Sequence, residues 1–260
     1  MNTLKYTFSF KKGTFVGNDI EWMLNAGLGF QPTNYRIAGM KSRNGYKKYS
    51  PKILNDIKKL SSDLSLVLKK NDSFRFSVIE PANLLTHQSI YWTLPYGQEF
   101  NDTLLTKLLS NKNLVVAYCC DEEDQLLQSA DYPSDYSVKG IELPTEKLYT
   151  DKNGFLRVDI SNNPGRIELL PYMWLMSCHK MWFGLEFFEF VTKKTLLGFK
   201  NAFSINELNN GIIEIVLYEN PEDASFPENR VKQKEFREWI KMDEISKLLK
   251  DKIKTAYNTV

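Results

Sequence analysis

Histidine is nearly absent from this chain, at two residues in 260, and cysteine is scarce, at three. That scarcity narrows the chemistry. Structural zinc is held by four Cys or His ligands at short, recognisable spacing. Cys119, Cys120 and Cys178 contain no Cys-x-x-Cys, and Cys178-His179 is only a neighbouring pair. No metal site and no disulfide framework are expected, and the three thiols read as buried and reduced. Long apolar runs are missing too. The most apolar stretch, 169–190, is interrupted by His179, Lys180, Glu186 and Glu189, whereas a bilayer-spanning helix needs about 20 mostly apolar residues. The opening MNTLKYTFSFKKG has neither the apolar core nor the small-residue cleavage pattern of a signal peptide. A cytoplasmic protein with no membrane partner is expected.

Enzyme signatures are equally absent. There is no G-x-x-x-x-G-K-[ST] and no G-x-S-x-G. Gly27-Leu28-Gly29 lacks the third glycine of a dinucleotide loop, whose position is Pro32. No cofactor is expected. His87 and His179 are the candidate general bases and Cys178 the candidate nucleophile of a diffuse enzyme site, but none has the partner pattern that such sites use. An enzyme with an unrecognised site stays as an alternative reading.

What the chain does have is a globular composition, 42% hydrophobic and 25% charged, with 13% aromatic residues to fill a core. Tyr6, Phe8 and Phe10 alternate, as do Phe74, Phe76 and Val78, and then Ile90, Trp92 and Leu94; each set predicts a strand. Leu114 to Tyr118 and Ile212 to Leu217 read as buried strands. Asn18-Asp19-Ile20-Glu21 resembles a capping box for a short helix through Leu24. Residues 25–49 read as a long loop. Ser50-Pro51 followed by Ile53, Ile57, Leu60, Leu64 and Val67 predicts a helix to about Lys70. Asn101 or Asp102 should open a helix carrying Leu104, Leu105, Leu108 and Leu109. Asp151-Lys152-Asn153-Gly154 predicts a hairpin turn and lacks the later acidic ligands of a calcium loop. Asn163-Pro164 reads as a helix start. The stretch from Met181 to Val191 fits either strand or helix. Helices are expected around Phe236, Trp239 and Ile240, and from Asp243 through Ile245, Leu248, Leu249 and Ile253. Strands and helices interleave without a regular βαβ repeat. This predicts an α+β fold with a mixed, largely antiparallel sheet packed with helices. One domain over 1–260 is expected, with room for two lobes divided near residue 145.

The net charge of +2 is unevenly spread. Lys5, Lys11, Lys12, Arg36, Lys41, Arg43, Lys47 and Lys48 face only Asp19 and Glu21 in the first fifty residues. Asp121, Glu122, Glu123, Asp124, Asp131, Asp135, Glu142 and Glu146 face only Lys139 over 121–146. The acidic segment also carries Tyr132 and Tyr136, a mixture suited to a basic protein partner. A solvated helix and loop would have the same composition. Met40 to Tyr49 interleaves basic residues with tyrosines, as a nucleic-acid grip would. The near-neutral total charge argues against that partner. Trp174, Trp182, Phe183, Phe187, Phe188 and Phe190 read as core.

Asp159-Ile-Ser-Asn-Asn-Pro-Gly-Arg166 after a strand, then Met181-Trp-Phe-Gly184 in an aromatic stretch, then Leu196-Leu197-Gly-Phe199, resembles bacterial immunity proteins of polymorphic toxins and type VI secretion effectors. The resemblance covers about a third of the chain. It implies a stoichiometric inhibitor of one cognate toxin, without catalytic residues. The partner-binding residues expected on the charge argument are Asp121, Glu122, Glu123, Asp124, Asp131, Tyr132, Asp135 and Tyr136.

Overall fold

A computed structural model describes residues 2–37, 45–50, 52–57, 65–79, 87–98 and 102–258, with side chains to 251. The first half comprises β1 (Thr3–Lys11), α1 (Gly17–Ala26), β2 (Asn34–Ile37), β3 (Lys47–Lys48), α2 (Ile53–Ile57), β4 (Ser65–Asn71), β5 (Phe74–Ile79), β6 (His87–Pro95), α3 (Asp102–Leu109) and β7 (Leu114–Asp121). There follow α4 (Glu122–Ser129), α5 (Pro133–Ser137), β8 (Leu148–Thr150), β9 (Leu156–Val158), β10 (Glu168–Leu169), β11 (Trp174–Leu175) and β12 (Lys180–Phe183). The chain ends with α6 (Lys193–Leu197), β13 (Ser204–Glu207), β14 (Ile213–Val216), α7 (Pro227–Trp239) and α8 (Met242–Asn258).

The architecture is α+β. Ten strands form one sheet in the order β13-β14-β12-β7-β1-β6-β5-β4-β2-β3. Every described pairing in it is antiparallel. Strands from both sides of residue 145 therefore share one sheet. The period of two divides its core into two layers. On one face Phe8, Phe10, Phe76, Trp92, Ala117, Cys119 and Trp182 pack with Ile20 and Met23 of α1, Ile53 and Ile57 of α2, and Leu104 and Leu108 of α3. On the other, Val116, Tyr118, Cys120, Met181, Phe183 and Ile215 pack with Leu196 of α6, Phe236 of α7, and Met242, Ile245 and Leu249 of α8. The β10–β11 hairpin is pinned to that second face. The Trp174 N–H donates to Ser9 Oγ at 3.1 Å and its indole N–H to Ser89 Oγ at 3.1 Å, while the Tyr118 hydroxyl donates to the Trp174 carbonyl at 3.1 Å.

Four sequence expectations need correction. The helix expected from Ser50-Pro51 to Lys70 is α2 alone within the described residues, and Leu60 and Leu64 lie outside them. Residues 65–70 belong to β4, because Leu66 and Leu68 alternate into the core while the strand pairs with β2 and β5. Asn71 is thus the last residue of β4, paired with Phe74 across a tight turn at Asp72-Ser73. The 25–49 loop contains β2 and β3, with Tyr35 and Ile37 buried. Asn163-Pro164 opens no helix. The Asn163 amide donates to the Gln128 carbonyl at 3.1 Å and the Gly165 N–H to Gln128 Oε1 at 3.1 Å, which ties this turn to α4. Finally, α8 begins at Met242, and the Asp243 carboxylate binds Arg166 and Arg237.

The ambiguous 181–191 stretch resolves into β12 and a 3-10 turn over Leu185–Glu189. The switch falls at Gly184. A Cβ there would stand 2.0 Å from the Leu114 carbonyl oxygen of β7, so glycine lets the two strands meet.

The second face is locked at its rim by an ion network. The Glu168 carboxylate receives Arg237 at 3.3 Å, Arg166 at 3.4 Å, the Ser246 hydroxyl at 3.2 Å, and Lys250. Asp243 receives Arg166 and Arg237, each at 2.6 Å. Burial works to raise both carboxyls. Their cationic partners outweigh it and hold both below the ordinary range.

Candidate functional site

The acidic run begins where β7 ends. Asp121 caps α4, its carboxylate accepting the Asp124 N–H at 2.6 Å and the Tyr96 hydroxyl at 3.0 Å. Burial raises its pKa, against the effect of those two donors. Glu122 accepts from Thr3 Oγ1 at 2.8 Å and pairs with Arg75 of β5. Asp124 takes both Nη atoms of Arg230 from α7, one at 3.0 Å. These three carboxylates fasten α4 to the sheet and to α7. Glu123, exposed, pairs with Lys139 at 2.9 Å.

Asp121, Glu123 and Asp124 also line a concavity of about 210 Å³ together with Leu127, Glu222 and Ser225. Glu222 comes from the 3-10 turn Pro221–Ser225. It is the member that sequence reasoning missed, since nothing in its local context links it to a charge run a hundred residues earlier.

Beyond α4 the chain builds a satellite lobe from α5, β8 and β9. Its small core holds Ala130, Tyr136 and Val158, with Leu127, Leu143, Leu148 and Ile160 packed against them. Tyr136 is a core residue, its hydroxyl donating to the Leu127 and Ala130 carbonyls at 2.7 and 3.0 Å. Asp131 and Tyr132 meet Arg157 of β9. Arg157 Nη1 reaches Asp131 at 3.2 Å, Nε reaches Asp151 at 3.0 Å, and the guanidinium lies 3.9 Å from the Tyr132 ring centre. The Phe155 N–H, aided by Arg157, holds the Asp151 carboxyl below its usual range. Asp135 stands half-buried in the first turn of α5. The eight residues therefore divide. Asp121, Glu122, Asp124 and Tyr136 are built into the scaffold, while Glu123, Asp131, Tyr132 and Asp135 reach solvent to differing degrees.

The residues of the enzyme alternative are buried. His87 Nδ1 lies 3.0 Å from the Pro171 carbonyl, and burial lowers its pKa. His179 packs against the Tyr218 ring at 5.4 Å; burial, with help from Lys180, brings it down to about 4. Its Nδ1 and the Nε2 of His87 have no hydrogen-bond partner among the described residues. The Cys178 thiol lies 3.5 Å from the Cys119 and Lys180 carbonyls, and burial pushes it up. All three cysteines are free and buried.

Of the basic 40–49 loop, residues 40–44 lie outside the described residues. Tyr46 is engaged by this chain's own cations, with Arg36 5.5 Å and Lys69 4.3 Å from its ring centre. Among the described residues no group of three or more His, Cys, Asp or Glu is placed to hold a metal ion, and no helix is long and apolar enough to cross a membrane.

No protein-family model and no curated protein sequence matches the chain. Among solved structures it is similar to the Pseudomonas aeruginosa T6SS protein PA0821, with a TM-score of 0.54 and 11% identity. The match covers 92% of this chain and 73% of that one. At that identity the likeness is one of fold.

Proposed function

We propose that this protein is a stoichiometric binding protein of the immunity type, which neutralises a cognate bacterial toxin or effector by occupying its surface. The observation that carries the reading is the fold shared with a T6SS protein over nearly the whole chain. The acidic concavity and its rim supply the chemistry. Asp121, Glu122, Asp124 and Tyr136 fix the platform, and Glu123, Asp131, Tyr132 and Asp135 face the partner. A toxin acting on nucleic acid needs a basic surface around its substrate, and an acidic plug competes for that surface. On this reading the protein works in the cytoplasm of the cell that makes it, needs no cofactor, and performs no chemistry of its own.

The test is charge reversal at the exposed Glu123 and the half-buried Asp135. Glu123→Lys with Asp135→Lys should slow association with the toxin that this reading expects beside this chain's gene and flatten its dependence on salt, because rim charges act chiefly on the on-rate. An unchanged on-rate and salt slope would remove the acidic rim from the interface.

A further inference from the structure

We infer that the outward face of the β8–β9 hairpin, where Tyr132, Tyr149 and Phe155 surround Arg157, is the hot spot that anchors a basic effector protein. The inference rests on the binding function proposed above and names where its affinity resides.

The hairpin is stiff at its turn. Asp151 Oδ1 accepts the N–H groups of Asn153 at 2.8 Å and Phe155 at 3.0 Å, and Gly154 supplies the left-handed residue at φ 82°. Register then decides which side chains face out. Leu148 opposes Val158 and Tyr149 opposes Arg157. Leu148 and Val158 enter the satellite core, so by alternation Tyr149 and Arg157 point away from it. Phe155, two residues before Arg157, shares that face, and its ring centre lies 5.9 Å from the guanidinium.

Arg157 is held by Asp131 and Asp151 while it lies over Tyr132. The rings are thereby presented on a fixed support. Tyr132, Tyr149 and Phe155 are 45%, 50% and 58% exposed. Aromatic side chains bury about 150–250 Å² each, so three half-exposed rings offer roughly 300 Å². That is more than a third of the ~800 Å² that one partner contributes to a standard interface. Tyrosine and arginine are the residues enriched in interface hot spots, and rings with two χ angles lose little entropy on docking.

Charge selects the occupant. Residues 121–160 carry ten acidic and four basic side chains, a net of −6 that falls to −4 once Arg75 and Arg230 pair with Glu122 and Asp124, in a chain whose total is +2. A second copy would bring the same net-acidic segment to a two-fold interface and repel it. Nucleic acid is repelled likewise. A protein with a basic surface fits.

The experiment uses the full chain and the toxin that the proposed function expects beside its gene, with Kd and off-rate measured for wild type and for Tyr149→Ala/Phe155→Ala. Both side chains lie outside the satellite core, so the variant should keep its melting curve. We expect affinity to fall about 100-fold, mostly through faster dissociation, while Leu156→Ala on the opposite face changes it less than threefold. Should the double variant not fold, Tyr149→Lys, which sets a cation against a basic partner, gives the same reading. Wild-type binding with a double variant within threefold of it overturns this inference and leaves the binding function standing. No wild-type binding overturns the binding function, and this inference with it. A wild-type dimer that the double variant dissolves in sedimentation shows a second copy as the occupant and also refutes the inference.

Discussion

Replacing Arg237 by leucine should cost about 2–3 kcal/mol of folding stability. Arg237 is buried at the junction of α7, α8 and the β10–β11 hairpin, and its guanidinium binds Asp243, Glu168 and the Arg166 carbonyl. Removing one partner of a buried ion pair costs about 3–5 kcal/mol, because the remaining charge is left desolvated. Two features bring the figure to the low end. Glu168 keeps Arg166 and Lys250, and Asp243 keeps Arg166 and is itself 63% exposed, so water screens part of its loss. For a chain of this size the loss corresponds to a fall in Tm of roughly 5–10 °C. Urea unfolding followed by circular dichroism gives the free energy directly. The pH dependence adds a second constraint. Glu168 and Asp243 are held below their unfolded values in the native state. The stability they contribute is present above the unfolded carboxyl pKa and is lost as pH falls through the folded value. The wild-type advantage over Arg237→Leu should therefore shrink as pH falls below the ordinary carboxyl range, about 4. A penalty below about 0.5 kcal/mol at pH 7, or one that grows on acidification, would refute the assignment of Arg237 as the keystone of this network.

Three further substitutions test other parts of the fold. His179 is brought down to about 4 by burial, so the unfolded chain takes the proton first as pH falls. Stability should drop between about pH 6.5 and 4, by about 3 kcal/mol in all, and be insensitive to this group below that. His179→Gln should remove that share of the slope, and an unaltered urea titration series would show that the imidazole is already protonated when folded. Gly184→Ala should cost about 3 kcal/mol, since the new methyl lies 2.0 Å from the Leu114 oxygen and β7 must retreat by 1 Å or more to reach even a 3.0 Å contact. Gly154→Ala, with nothing within 4 Å, should cost only about 1 kcal/mol of backbone strain. Equal melting temperatures for the two would discount the strand contact.

The strands most legible in the sequence are those with one face deep in the core. Tyr6, Phe8 and Phe10 announce β1 because each alternate residue must meet α1–α3 across the sheet. β4 was harder to read. Leu64 and Val67 continue the helical spacing of Ile53, Ile57 and Leu60, while Leu66 and Leu68 carry the period of two, and only pairing with β2 and β5 decides between them. β2 hides among glycine and proline with just Tyr35 and Ile37 buried. The acidic segment was legible as a charge run but not as a scaffold. Arg75 is 47 residues before Glu122, and Arg230 is 106 residues after Asp124. No local pattern tells a carboxylate whether a distant arginine will reach it. The hairpin turn at 151–154 could be read from its own residues. The ring cluster around Arg157 could not, because it depends on where α5 places Tyr132.

The central proposal is that this protein silences a toxin by binding it one to one. Neutralisation of a lethal protein demands slow dissociation, and the rigid, ion-paired platform beneath Glu123, Tyr132 and Tyr149 leaves little ordering cost to subtract from affinity. Isothermal titration calorimetry of the purified chain against the toxin that this reading expects to be encoded beside its gene measures affinity and stoichiometry at once. The account predicts a one-to-one complex with a Kd of about 10 nM or tighter. Binding at micromolar Kd or weaker, or any other stoichiometry, would contradict it.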